Sequence, residues 1–96
     1  MKLQKLASMP YAQAYVVRTE NRVALISYKT LVCEITDGWL EVFGLYSQTT
    51  RRHIGAFMKE FVEYPNGTRG TYQDAKACYT NGYRFNVKTG EIKNLA

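Results

Sequence analysis

The sequence predicts an α+β domain: a mainly antiparallel sheet of about five strands, packed by one amphipathic helix and one short helix. Three observations predict it. Strand-like runs fill the first half, an apolar stripe at helical spacing follows, and a further alternating run closes the chain. Strands first and helices after them argue for α+β with a mainly antiparallel sheet. At 96 residues the chain is read as a single domain, 1–96.

The first dozen residues have no clear period and include Pro10, so residues 1–12 read as a loose N-terminal arm. Ala14–Thr19 and Arg22–Ser27 flank Glu20-Asn21 as a hairpin. Within it, Val23-Ala24-Leu25-Ile26 is apolar on both faces, which places that strand centrally or under cover on both sides. Leu31–Thr36 and Trp39–Phe43 flank Asp37-Gly38. Asp-Gly suits a two-residue type I′ turn, because both central positions take positive φ. That loop pairs Ile35 with Leu40 and Cys33 with Val42. The core face then holds Leu31, Cys33, Ile35, Leu40 and Val42, and the other face Val32, Glu34, Thr36, Trp39, Glu41 and Phe43. Glu34 is set opposite Glu41, and like charges so placed need solvent or a basic neighbour.

Ser47, Thr49 and Thr50 each suit a helix N-cap. Ile54, Phe57, Met58, Phe61 and Val62 follow at the spacing of a helix packed on a sheet. Arg51, Arg52, Gly55 and Lys59 fall on the other side. Gly55 costs about 1 kcal/mol of helix propensity relative to Ala, which hints at close packing there. Tyr64-Pro65-Asn66-Gly67 turns the chain. Thr71-Tyr72-Gln73-Asp74 resembles a capping box and predicts a short helix from Tyr72 to about Tyr79, stopped by Asn81-Gly82. Tyr83, Phe85 and Val87 alternate as a strand, and Glu91-Ile92-Lys93 is expected as a short return strand.

No apolar run approaches the roughly 20 residues of a membrane span, so no membrane role is expected. Two widely spaced cysteines, Cys33 and Cys78, and the absence of a signal-like apolar run point to reduced thiols and a cytoplasmic location. The net charge is +5, carried mostly by residues 49–96, where eight basic side chains meet four acidic ones. A basic excess favours anionic partners. One histidine and two distant cysteines make no metal site, and no phosphate loop or cofactor motif is present, so no metal or cofactor is expected. His53 has no nucleophile motif beside it. Lying in the first turn of a helix, where a positive charge is disfavoured, it is expected to be neutral and hydrogen-bonded. No enzymatic activity is expected.

The cluster Arg51-Arg52-His53 opens a helix whose N–H groups already favour anions, and Thr49 and Thr50 add hydroxyls. The competing role is a solvated face with the arginines paired to Glu34, Glu41 or Glu60. The segments Ser27-Tyr28-Lys29-Thr30-Leu31-Val32-Cys33 and Tyr46-Ser47-Gln48-Thr49-Thr50-Arg51-Arg52-His53 resemble a family of small uncharacterised proteins of phages and bacterial mobile elements. There a Ser-Tyr-x-Thr-x-Val strand precedes a Tyr-Ser-x-Thr-Thr-x-x-His helix start. The likeness spans roughly residues 27–61 and transfers no active site. It implies a context in which small accessory proteins bind host machinery, including defence systems such as CRISPR effectors. Tyr28, Thr30, Ser47, Thr49, Thr50 and His53 are expected to form a structural polar network.

Two functions of different class follow. The first is a non-catalytic module that binds and modulates or inhibits a host protein, with Trp39, Phe43, Arg51, Arg52 and Lys59 as contacts. The second is a nucleic-acid-binding accessory protein using the basic second half and its rings, among them Arg69, Tyr72, Lys76, Tyr79, Tyr83, Arg84, Phe85 and Lys88. Under the second, Tyr79 and Tyr83 should be partly exposed. The Trp39–Phe43 face also suits a symmetric homodimer.

Overall fold

The computed structural model describes residues 2–95. Its strands are β1 (Lys2–Lys5), β2 (Ala14–Arg18), β3 (Arg22–Ser27), β4 (Thr30–Thr36) and β5 (Trp39–Val42), then β6 (Tyr83–Asn86) and β7 (Ile92–Asn94). Helices α1 (Gln48–Phe61) and α2 (Tyr72–Asn81) lie between β5 and β6. All pairings are antiparallel and the strand order is the chain order, β1 to β7. Among the described residues, no helix is long and apolar enough to cross a membrane.

The α+β architecture agrees with the sequence, but five strands was an undercount. Residues 1–12 are not a loose arm where described. Lys2–Lys5 pair with β2 and Leu6 is fully buried, so one apolar side chain anchors a segment with no readable period. The short return strand expected at Glu91–Lys93 forms as β7, three exposed residues one position further on, held by pairing with β6, and it too lies beyond the count of five.

The register across Asp37-Gly38 is as expected. Asp37 and Gly38 have φ of 52° and 86°, and Ile35 pairs with Leu40 and Cys33 with Val42. The expected core face needs one correction. A bulge falls where Leu25 pairs with Cys33 but Ile26 with Leu31, leaving Val32 as the extra residue. Alternation breaks there, so Val32 is fully buried and Leu31 is 39% exposed, the reverse of the alternating pattern. β3 sits third in the sheet, with Ala24 and Leu25 both buried, as its two-sided apolar run requires.

Both helices cover one face. Ile54, Phe57, Met58 and Val62 have no exposure and join Val16, Leu25, Cys33, Ile35, Leu40 and Val42 in the core. Ser47 is the N-cap, its hydroxyl accepting from the Thr50 N–H at 3.2 Å. The capping box of α2 is formed by Thr71 and Asp74, and Gly82 closes that helix at φ 67°. A Cβ at Gly55 would touch the Cβ of Tyr72 at 3.6 Å, so this glycine faces α2 at close quarters.

Candidate binding surface

The β3–β4 turn, the ends of β1 and β5 and the start of α1 all lie at one end of the sheet. Here Ser27, at the last position of β3, meets the first turns of α1. Its Oγ lies 2.8 Å from His53 Nδ1 and 3.0 Å from Thr50 Oγ1, and the Ser47 hydroxyl donates to Thr50 Oγ1 at 3.2 Å. Ser27, Thr50 and His53 are 2%, 4% and 1% exposed. Burial lowers the pKa of His53, so the ring is held neutral, as its helix position predicts. Ser27 and His53 have the spacing of a nucleophile and its base. With both buried, a substrate does not reach the hydroxyl, and the pair ties α1 to β3.

The expected polar network is therefore partly assembled. Ser47, Thr50 and His53 belong to it, and Tyr28 joins by packing its ring on His53, centroids 5.9 Å apart. Thr30 and Thr49 do not join: both are exposed, and the hydrogen bonds of the junction run among Ser27, Ser47, Thr50 and His53. Ser27 is the member absent from the expected network, although it ends the expected strand Arg22–Ser27 and opens the Ser-Tyr-x-Thr-x-Val segment; its contact with α1 is non-local.

Above this junction lies an aromatic surface. Tyr28 is 50% exposed, Leu31 39%, Phe43 38% and Tyr46 56%. Tyr28 and Tyr46 hold φ of 58° and 51°. Among the described residues the one other non-glycine at positive φ is Asp37, in its type I′ turn. A tyrosine in the left-handed region costs about 1–2 kcal/mol. Tyr28 is fixed by its N–H to the Gln13 carbonyl at 2.6 Å. Tyr46 lays its ring on Gly44, where a Cβ would come within 2.7 Å of ring carbons. Lys29, Arg51 and Arg52 flank these rings and are exposed. Among the described residues neither arginine pairs with a carboxylate. None of the eight acidic residues lies in segments 1–19, 22–33 or 42–59, which build this end.

The remaining residues singled out from sequence lie elsewhere. Trp39 is half-buried rather than exposed, because it lines a cavity of about 310 Å³ with Glu34, Thr36, Asp37, Glu41 and Arg84. The opposed carboxylates have basic neighbours. Glu34 accepts from Arg22 at 2.5 Å and Glu41 from Arg84 at 3.0 Å. The arginines expected to pair with acids are thus not the ones that do, and Glu60 instead accepts from the Ala7 N–H at 2.8 Å. Arg69 faces Glu63 at 3.8 Å. Lys59 is exposed on α1, Tyr79 is 47% exposed and Tyr83 is partly exposed. Cys33 and Cys78 are free and buried. Burial pushes both thiols up, Cys78 to about 11 with the Asp74 charge adding to it, so both stay protonated.

A family of unknown function (DUF8033) matches residues 1–77. The chain belongs to this family. The match covers β1 through the first half of α2, and so includes Tyr28, Tyr46, Arg51, Arg52 and the Ser27–His53 junction, while Tyr79, Tyr83 and Arg84 lie beyond it. No curated protein and no solved structure matches the chain.

Proposed function

We propose that the protein is a non-catalytic binding module that docks on an acidic surface of a partner protein. Tyr28, Leu31, Phe43 and Tyr46 are its apolar anchors, and Lys29, Arg51 and Arg52 its basic rim. The observation that carries this reading is the pair of half-exposed tyrosines held at positive φ on one end of the molecule. Strained backbone persists where surrounding structure over-determines it, and such sites cluster at ligand clamps. Rings already fixed lose little freedom on binding, and Tyr and Arg are enriched among residues that dominate interface energies. The resemblance to proteins of phages and mobile elements makes a host protein the expected partner and modulation or inhibition, of the anti-defence or anti-CRISPR type, the expected consequence.

The nucleic-acid reading keeps one specific support, the exposure of Tyr79 and partial exposure of Tyr83. Against it, Arg69 and Arg84 in the basic second half already face carboxylates. The test is a pull-down of the tagged chain from host lysate with and without nuclease. A nuclease-resistant partner in stoichiometric amount, lost from Arg51→Ala plus Arg52→Ala, supports the protein-binding reading. Loss of every partner after nuclease, with affinity for an oligonucleotide falling steeply with salt, overturns it in favour of nucleic acid.

A further inference from the structure

Lys5, Tyr15, Ile26 and Leu31 form a row across β1 to β4 on the face turned away from the helices. Leu3 lies on the same face of β1 and is 58% exposed. Leu3, Tyr15 and Ile26, with Gln13, Tyr28 and Lys29, line a shallow groove of about 350 Å³. The groove opens onto β1, the outermost strand of the sheet, whose second edge has no partner strand among the described residues. An unpaired edge offers backbone donors and acceptors as a template for another strand.

Charge selects among the occupants. The Lys5 ammonium sits 4.2 Å from the centroid of the Tyr15 ring and donates to the Ala12 carbonyl at 2.8 Å. Lys29 lines the groove, Lys5 borders it through its contact with Tyr15, and no carboxylate among the described residues lines it. A second copy of this chain pairing along β1 would bring Lys5 and Lys29 of both copies to the same seam with no carboxylate in the groove to answer them. Like charges directly opposite destabilise a strand pair. A nucleic acid would find the Tyr15 and Tyr28 rings interrupted by aliphatic Leu3 and Ile26, and it has no peptide backbone to complete the ladder that the β1 edge offers.

We propose that the β1 edge and this groove receive an extended, acidic segment of the partner protein, which adds to the sheet as an eighth strand. Main-chain hydrogen bonds to β1 provide affinity in such a mode, and alternate side chains provide specificity. Every second residue of the added strand points to the groove side. These residues are apolar and cover Leu3 and Tyr15, while Asp or Glu of the same segment meets Lys5 and Lys29. The inference rests on the binding-module reading and specifies how the partner is held.

The test is a displayed library of random peptides panned against the full chain. The expected result is enrichment of sequences with alternating apolar residues and Asp or Glu. A synthetic peptide of that consensus should protect the amides of Leu3 to Lys5 from hydrogen exchange. Leu3→Asp should weaken its binding about tenfold or more, and Lys5→Glu plus Lys29→Glu should redirect selection toward basic peptides. These three side chains are exposed, so the variants keep the fold. No enrichment, unprotected β1 amides, or binding indifferent to Leu3→Asp overturns the inference. So does a dimer that Leu3→Asp dissociates, or an oligothymidine that competes for β1. If the partner found by pull-down is lost with Arg51→Ala plus Arg52→Ala but indifferent to Leu3→Asp, the groove inference falls and the binding-module reading stands.

Discussion

The sheet face turned away from the helices has two halves, and they treat their polar groups in opposite ways. Across β3 to β6, Arg22 answers Glu34 and Arg84 answers Glu41, with Trp39 half-buried among them. Every charge in these pairs finds its partner inside the molecule. Across β1 to β4 and over the neighbouring turn, Leu3, Tyr28 and Leu31 are exposed, and the groove that Lys29 lines holds no carboxylate among the described residues. A surface that satisfies itself gains little from a partner, whereas an exposed apolar patch rimmed by one sign of charge marks an interaction site. The difference is what carries the proposed binding role to the β1–β4 half of the face.

The largest effect expected from breaking this contrast is on affinity. Tyr28→Ala removes a fixed anchor and should cost the partner complex about 2 kcal/mol or more, read as roughly a thirtyfold rise in Kd by titration. Trp39→Ala, in the self-satisfied half, should leave that Kd within about twofold. Next, Arg84→Glu places a third carboxylate beside Glu34 and Glu41. It should lower unfolding free energy by about 1–2 kcal/mol in urea titration without changing partner affinity. Gly44→Ala drives the Tyr46 ring off its seat. It should weaken the partner by about 1 kcal/mol and leave the core amides as protected as before.

A smaller effect depends on pH. Burial holds the His53 pKa below its ordinary 6.5 in the folded chain. The unfolded chain therefore takes up a proton first as pH falls. His53 leaves stability intact above pH 6.5, and that contribution is lost progressively from there down to its depressed folded value. Thermal melts should show Tm falling just below pH 6.5, with the fall reduced in His53→Gln. The smallest effect is on the exposed corner. Leu3→Asp should change stability by no more than about 0.5 kcal/mol in the same melts while weakening the proposed strand addition about tenfold or more.

Much of this was legible one residue at a time. Asp37-Gly38 dictated its turn and hence the register that opposes Glu34 to Glu41. Ser47, Thr71, Asp74 and Gly82 marked helix ends through local hydrogen bonds that need no tertiary partner. His53 was legible as a neutral, bonded group from its place in the first turn of α1. What failed was non-local. Lys2–Lys5 show no strand pattern, since β1 exists only by pairing with β2 and by the burial of Leu6. The bulge at Val32 exchanged the faces of two residues, because strict alternation assumes an unbroken ladder.

The sequence by itself therefore determined the α+β class, the two helices with their caps, the central hairpin and the excess of positive charge. Each follows from local backbone preference or from composition. Tertiary structure alone decided which arginines met Glu34 and Glu41, which serine met His53, and which tyrosines were left exposed at one end. Those outcomes depend on groups distant in sequence arriving within about 3 Å of one another, and no local pattern encodes that approach.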